Sequence, residues 1–105
     1  MITVQQVKDA VEDTFEGYES EFYGEIRYAG KNGMELNGLG TAYSVDYEGG
    51  GEGQGENMWV VFRIGDQLFR KYGYYSSWDG SDWDGDLEEV EPYEVTVVRY
   101  REVKR

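Results

Sequence analysis

The chain of 105 residues contains no cysteine and no histidine, and its one proline is Pro92. Without cysteine there are no disulfide staples and no thiolate metal sites. Without histidine there are no imidazole ligands, no histidine-based nucleophilic triads and no ordinary proton shuttle near neutral pH. Long apolar runs are missing too, since nothing approaches the roughly 20 residues of a membrane span. The opening MITVQQVKDA has neither the basic nor the apolar stretch of a secretory leader. Bases are scarce, 10 against 22 acids, for a formal charge of −12. A chain of this length makes one small domain, with a core of its own and little to spare.

The charge is unevenly placed. Residues 9–25 hold seven acids and no base, and residues 79–94 hold eight acids and no base. The bases gather in Arg63, Arg70, Lys71, Arg99, Arg101, Lys104 and Arg105. Such a surface repels nucleic acid and anionic membranes and draws in basic protein surfaces. The expectation is a soluble cytoplasmic protein without cofactor that meets a basic protein rather than nucleic acid or membrane. The plainer reading of the same charge is a solvated surface that keeps the chain in solution.

Residues 57–86 are the best organised stretch. Two apolar runs, 58–64 and 68–75, flank Gly65-Asp66, a dipeptide suited to a two-residue hairpin turn. That turn sets Gln67 opposite Ile64, Phe69 opposite Phe62 and Tyr72 opposite Trp59. Met58, Val60, Phe62, Ile64 and Phe69 then form the core face, while Trp59, Val61, Leu68 and Tyr72 lie on the other with Arg63 and Arg70.

Upstream, Val4, Val7, Val11, Phe15 and Tyr18 recur at helical spacing, with Lys8, Asp9, Glu12, Asp13 and Glu16 turned away. Thr3 and Gln6 have capping-box spacing, and Gly17 is a stop. Phe22, Gly24, Ile26 and Tyr28 alternate as a strand does, 34–36 is a short return strand, and the 39–47 alternation is a third. Tyr93 to Val103 is predicted as a last strand, begun at Pro92. The sum is a single domain, 1–105, of the α+β class. An N-terminal amphipathic helix, about 4–17, packs on a curved, mostly antiparallel sheet of about five or six strands spanning about 20–103. A mobile glycine-rich loop occupies 49–56, and an acidic aromatic loop occupies 76–92. The glycine-rich loop fails as a phosphate cradle, because it lacks the nucleotide spacing and carries Glu52 and Glu56.

The acidic aromatic loop supports three chemistries. Asp82, Asp84, Asp86 and Glu91 fall at ligand positions of a calcium loop, although Gly80 stands where its first ligand belongs. Tyr74, Tyr75, Trp78 and Trp83 offer a stacking platform for a sugar or other polar ring. The third is a protein interface, with Trp78 and Trp83 as anchors and Asp79, Asp82, Asp84, Asp86, Glu88 and Glu89 complementing a basic partner. Against these stands a structural role, with the tryptophans folded back and the aspartates serving turns. Paired carboxylates could in principle hydrolyse a glycoside, but in so acidic a chain some pair always qualifies, and without a pocket signature in so small a domain the chain is read as no enzyme.

The run VFRIGDQLFRKYGYYSSWDGSDWDGDLEEVEPYEVTVVRY, residues 61–100, resembles a segment of small acidic proteins encoded by tailed bacteriophages. The shared features are Phe69-Arg70-Lys71 in a hairpin, the GYYSS step, the WDG element and the EVEP tail. The resemblance implies a context, not residue roles: inhibitors or adaptors that bind host machinery, sometimes by imitating the phosphate array of DNA. The first reading is therefore a non-enzymatic binding protein in the host cytoplasm, docking through Asp9, Glu12, Asp13 and Glu16 of the helix and through the acidic loop. A β-rich ligand-binding module and an assembly component of a phage particle are the alternatives.

Overall fold

The computed structural model describes residues 1–49, 57–76 and 80–104. The expected 49–56 loop, Trp78 and Asp79 fall wholly or mostly outside them.

Helix α1 (Val4–Phe15) starts with the predicted capping box: the Thr3 hydroxyl accepts from Gln6 N at 3.1 Å, and Gln6 Oε1 accepts from Thr3 N at 2.8 Å. Two of the orphan N–H groups of the first turn are thereby satisfied. The helix stops before Gly17, because Glu16 already adopts the left-handed conformation (φ 53°, ψ 41°) and donates its N–H to the Glu12 carbonyl.

A second helix, α2 (Glu19–Ile26), replaces the strand expected around Phe22 to Tyr28. A four-residue interval satisfies both periods, so Phe22 and Ile26 share a face in either structure. Tyr23 separates them: a strand would turn it away from Phe22, whereas the helix buries both, with their rings edge-on at 5.2 Å.

The sheet has six strands, β1 (Met34–Leu36), β2 (Gly40–Glu48), β3 (Asn57–Ile64), β4 (Gln67–Ser76), β5 (Gly80–Asp82) and β6 (Leu87–Val90). All pairings are antiparallel, in the order β1-β2-β3-β4, with β5 and β6 sharing the far edge of β4, and the sheet does not close. The hairpin register is the predicted one: Ile64 faces Gln67, Phe62 faces Phe69 and Trp59 faces Tyr72. Gly65 supplies the positive φ of the turn, 63°.

Both helices cover one face of the sheet. Val7, Ala10 and Val11 of α1 and Phe22, Tyr23 and Ile26 of α2 join Leu36, Ala42, Met58, Val60, Phe62, Ile64, Phe69, Trp83 and Leu87 in one core. Gln67 ties the start of α1 to β4, accepting from Ile2 N and donating to Ile2 O, both at 2.8 Å.

Two further expectations change. Residues 80–82 and 87–90, expected within the 76–92 loop, form β5 and β6. Residues 91–104, read as mostly strand, have no regular structure and are exposed throughout. Strand propensity becomes structure only where a neighbouring strand pairs with it, and no described residue hydrogen-bonds to this segment. The molecule is correspondingly long, 65 × 38 × 24 Å. Its radius of gyration is 16.5 Å, against about 13 Å for a compact chain of this length. Among the described residues no helix is long and apolar enough to cross a membrane.

Candidate interaction surfaces

Asp9, Glu12, Asp13 and Glu16 project from the side of α1 that faces away from the core, and with Gly17 they line an open surface hollow of about 600 Å³. Their placement opposes local stability. The C-terminal half of a helix carries the negative end of its dipole, where bases are favoured, yet the last turn of α1 has none. Asp9 and Asp13 are like-charged neighbours one turn apart, a pair that costs about 0.2–0.5 kcal/mol. Hydrogen bonds temper two of these acids: Gln5 Nε2 donates to Asp9 at 2.9 Å, and Asn37 Nδ2 donates to Asp13 at 3.0 Å. No described base forms an ion pair with any of the four.

The sole ion pair among the described residues is on the opposite, helix-free face of the sheet. Register places Arg70 beside Glu88, and Arg70 Nη2 donates to Glu88 Oε1 at 2.6 Å. Arg70 Nε and the Tyr72 hydroxyl donate to the same oxygen, each at 3.1 Å. These donors hold the Glu88 carboxyl below its ordinary range, Arg70 first and Tyr72 second, against a small opposing effect of burial. Desolvation, followed by the hydrogen bond to Glu88, raises the Tyr72 phenol. The pair is well exposed to solvent, and its worth is the small one of a surface pair. Sequence spacing places Arg70 and Tyr72 on one face, while the loop expected over 76–92 leaves Glu88 unconnected to them; the pairing of β6 with β4 supplies the connection.

Between β5 and β6, residues 83–86 bulge across Tyr72 and Gly73: Gly85 N donates to Tyr72 O at 3.1 Å, and Tyr72 N donates to Asp86 O at 3.0 Å. The bulge turns Trp83 inward. Its indole is 1% exposed, 6.2 Å from the Tyr23 ring and 5.4 Å from the Arg27 guanidinium. Buried Lys71 reaches beneath it, donating to the Gly85 carbonyl at 2.6 Å with its ammonium 5.1 Å from the Tyr23 ring centre. Tyr23 OH and Trp83 Nε1 are both buried without a hydrogen-bond partner. Burial, and secondarily Glu19, pushes the Tyr23 phenol far above its usual value.

The expected site residues are thus dispersed. Trp83 is a core residue, which removes it both as an interface anchor and as a sugar platform. Tyr75 packs against the core, while Tyr74 is 43% exposed. Asp82, Asp84, Asp86 and Glu89 are exposed, and Glu88 is partly covered. Asp82, Asp84, Asp86 and Glu91 do not converge: the described residues hold no group of three or more acids that could hold a metal. Glu88 shares the helix-free face with Arg70, and Asp82 shares it with Tyr74. The α1 acids point away from the other side of the sheet. Glu89 lies on the helix-covered side, accepting from Gln67 Nε2 at 3.3 Å, so the loop acids divide between the two faces.

Comparison with family models, with curated proteins and with solved structures gives no match to this chain.

Proposed function

We propose that this is a non-enzymatic acidic binding protein, phage-encoded and active in the host cytoplasm, that docks on a basic protein surface and modulates it through the outer face of α1. The observation that carries this reading is the cluster Asp9, Glu12, Asp13 and Glu16, without an ion pair among the described residues and running along the outer face of α1 into its last turn, where local electrostatics disfavour acids. Glu16 adds to the cost by occupying a left-handed position suited to glycine or asparagine. The exposed acids Asp82, Asp84, Asp86 and Glu89 extend the negative field along one sheet edge and steer a basic partner toward the body.

The test is capture from bacterial lysate on the immobilised protein at low salt, followed by a salt gradient and mass spectrometry. A basic protein eluting with salt and lost from the D9N/E12Q/D13N/E16Q variant supports the reading. The same protein retained equally by that variant rejects α1 as the docking face. The unpaired 91–104 segment favours a second reading, a component that assembles with copies of itself. The sugar-binding alternative keeps little support, because the indole of Trp83 is in the core.

A further inference from the structure

We propose that residues 93–103 are an exchanged β-strand, adding in trans to the β5–β6 edge of a second copy of this chain. The inference rests on the self-assembly reading and not on docking to a foreign basic protein.

The segment has the composition of a strand and none of a strand's contacts. Tyr93, Val95, Val97, Val98, Tyr100 and Val103 are each between 64% and 94% exposed. β-branched and aromatic residues of this kind gain stability mainly by packing across a ladder. Nothing on the described part of the body hydrogen-bonds to them.

The junction explains why the strand does not return to its own edge. Only Glu91 and Pro92 separate the end of β6 from Tyr93. A two-residue hairpin loop needs positive φ at one or both central positions, whereas proline is fixed near −65° and the residue before it is held extended. The chain therefore leaves β6 outward, and a stiff, short junction favours pairing with another copy.

The acceptor is the free edge beside that junction. β5 and β6 each pair with β4 on one side, and among the described residues no strand covers the other. Uncovered edges of this kind are templates for an added strand, whose main-chain hydrogen bonds supply the affinity. The alternative edge, β1, is as short as β5 and carries one acid, Glu35.

Charge is compatible with the same pairing: residues 93–103 hold Arg99 and Arg101 against Glu94 and Glu102, and Lys104 and Arg105 follow directly. The β5–β6 edge carries exposed Asp82, Asp84, Asp86 and Glu89. Arg99 and Arg101 fall on one side of an extended tail, and the exposed Asp84 and Asp86 lie in the bulge between β5 and β6. Since each copy has both tail and edge, the contact can close reciprocally about a two-fold axis.

The experiment measures molar mass by light scattering on the full chain at low and high salt, with amide exchange across 93–103. The V95P/V97P variant removes ladder donors from a segment that makes no hydrogen bond to the described body, so the fold itself is left alone. Wild type should be dimeric or larger at low salt, with tail amides slowed by more than about tenfold, and V95P/V97P should be monomeric with fast tail exchange. R99E/R101E should likewise dissociate, and adding D84K/D86K should restore the assembly, identifying the edge. A wild type that is monomeric at all concentrations overturns both the inference and the assembly reading. An assembly of the same mass in V95P/V97P overturns the exchanged strand while leaving self-assembly standing.

Discussion

Gly73 of β4 lies directly beneath the indole of Trp83: a Cβ at Gly73 would stand 2.8 Å from Trp83 Cε3 and 2.7 Å from both Met58 Cε and the Asp82 carbonyl oxygen. The absence of a side chain on the strand is what lets the bulge drop its tryptophan into the core. Gly73→Ala should cost about 1–3 kcal/mol as overpacking, since a backbone atom cannot move aside. Gly24 gives the contrast, because there a Cβ would meet Trp83 Nε1 at an ordinary 3.7 Å in the middle of α2. Gly24→Ala should therefore stabilise, by up to about 1 kcal/mol. Urea unfolding midpoints of the two variants should move in opposite directions.

Tyr23 carries a buried hydroxyl with no partner. Removing an unsatisfied buried polar group recovers part of a penalty of about 1–3 kcal/mol, so Tyr23→Phe should match or exceed wild-type stability. The pH dependence follows from the raised phenol. The unfolded state loses this proton near pH ~10 while the folded state still holds it, so wild-type stability falls as pH rises past that point. Tyr23→Phe should flatten this alkaline loss, read as melting temperature between about pH 9 and 11. An unchanged alkaline slope would show that Tyr23 is not its source.

Glu16 is the one described non-glycine residue at positive φ, a conformation that costs an L-residue roughly 1–2 kcal/mol. Glu16→Gly relieves this strain and removes a negative charge from the negative end of the helix dipole, offset by the greater freedom of glycine in the unfolded chain. A net gain of about 0.5–1 kcal/mol is expected in thermal or urea unfolding. If α1 is the docking face, the same substitution should weaken capture of a basic partner even as it stabilises the fold.

Glu88 contributes to the acid limb. Its carboxyl is held below the ordinary value, so the folded state binds fewer protons than the unfolded state in the range just below pH ~4. The Arg70–Glu88–Tyr72 contribution is then present above that range and lost as pH falls through the folded-state value. Glu88→Gln should show a shallower decline than wild type below about pH 4. Its stability at neutral pH should become less dependent on salt. Acid titration of melting temperature at two salt concentrations measures both.

Much of the fold was written locally. Thr3 and Gln6 fix the start of α1 through bonds within one turn, and Gly65-Asp66 fixes the register from Phe62–Phe69 to Trp59–Tyr72 because a two-residue turn leaves no slack. The acidic face of α1 was legible for the same reason, as helical spacing decides which side chains point together. What the sequence by itself could not decide were the segments whose meaning depends on a distant neighbour. Phe22 and Ile26 fit either period, and only burial of Tyr23 against Phe22, Phe62 and Trp83 selects the helix. Trp83 reads as exposed in its acidic surroundings, yet Gly73, ten residues earlier on β4 and side-chain-free by necessity, opens the space that buries it. Residues 93–103 have the composition of a strand, but a ladder needs two partners, and the tertiary structure of one copy supplies only the first.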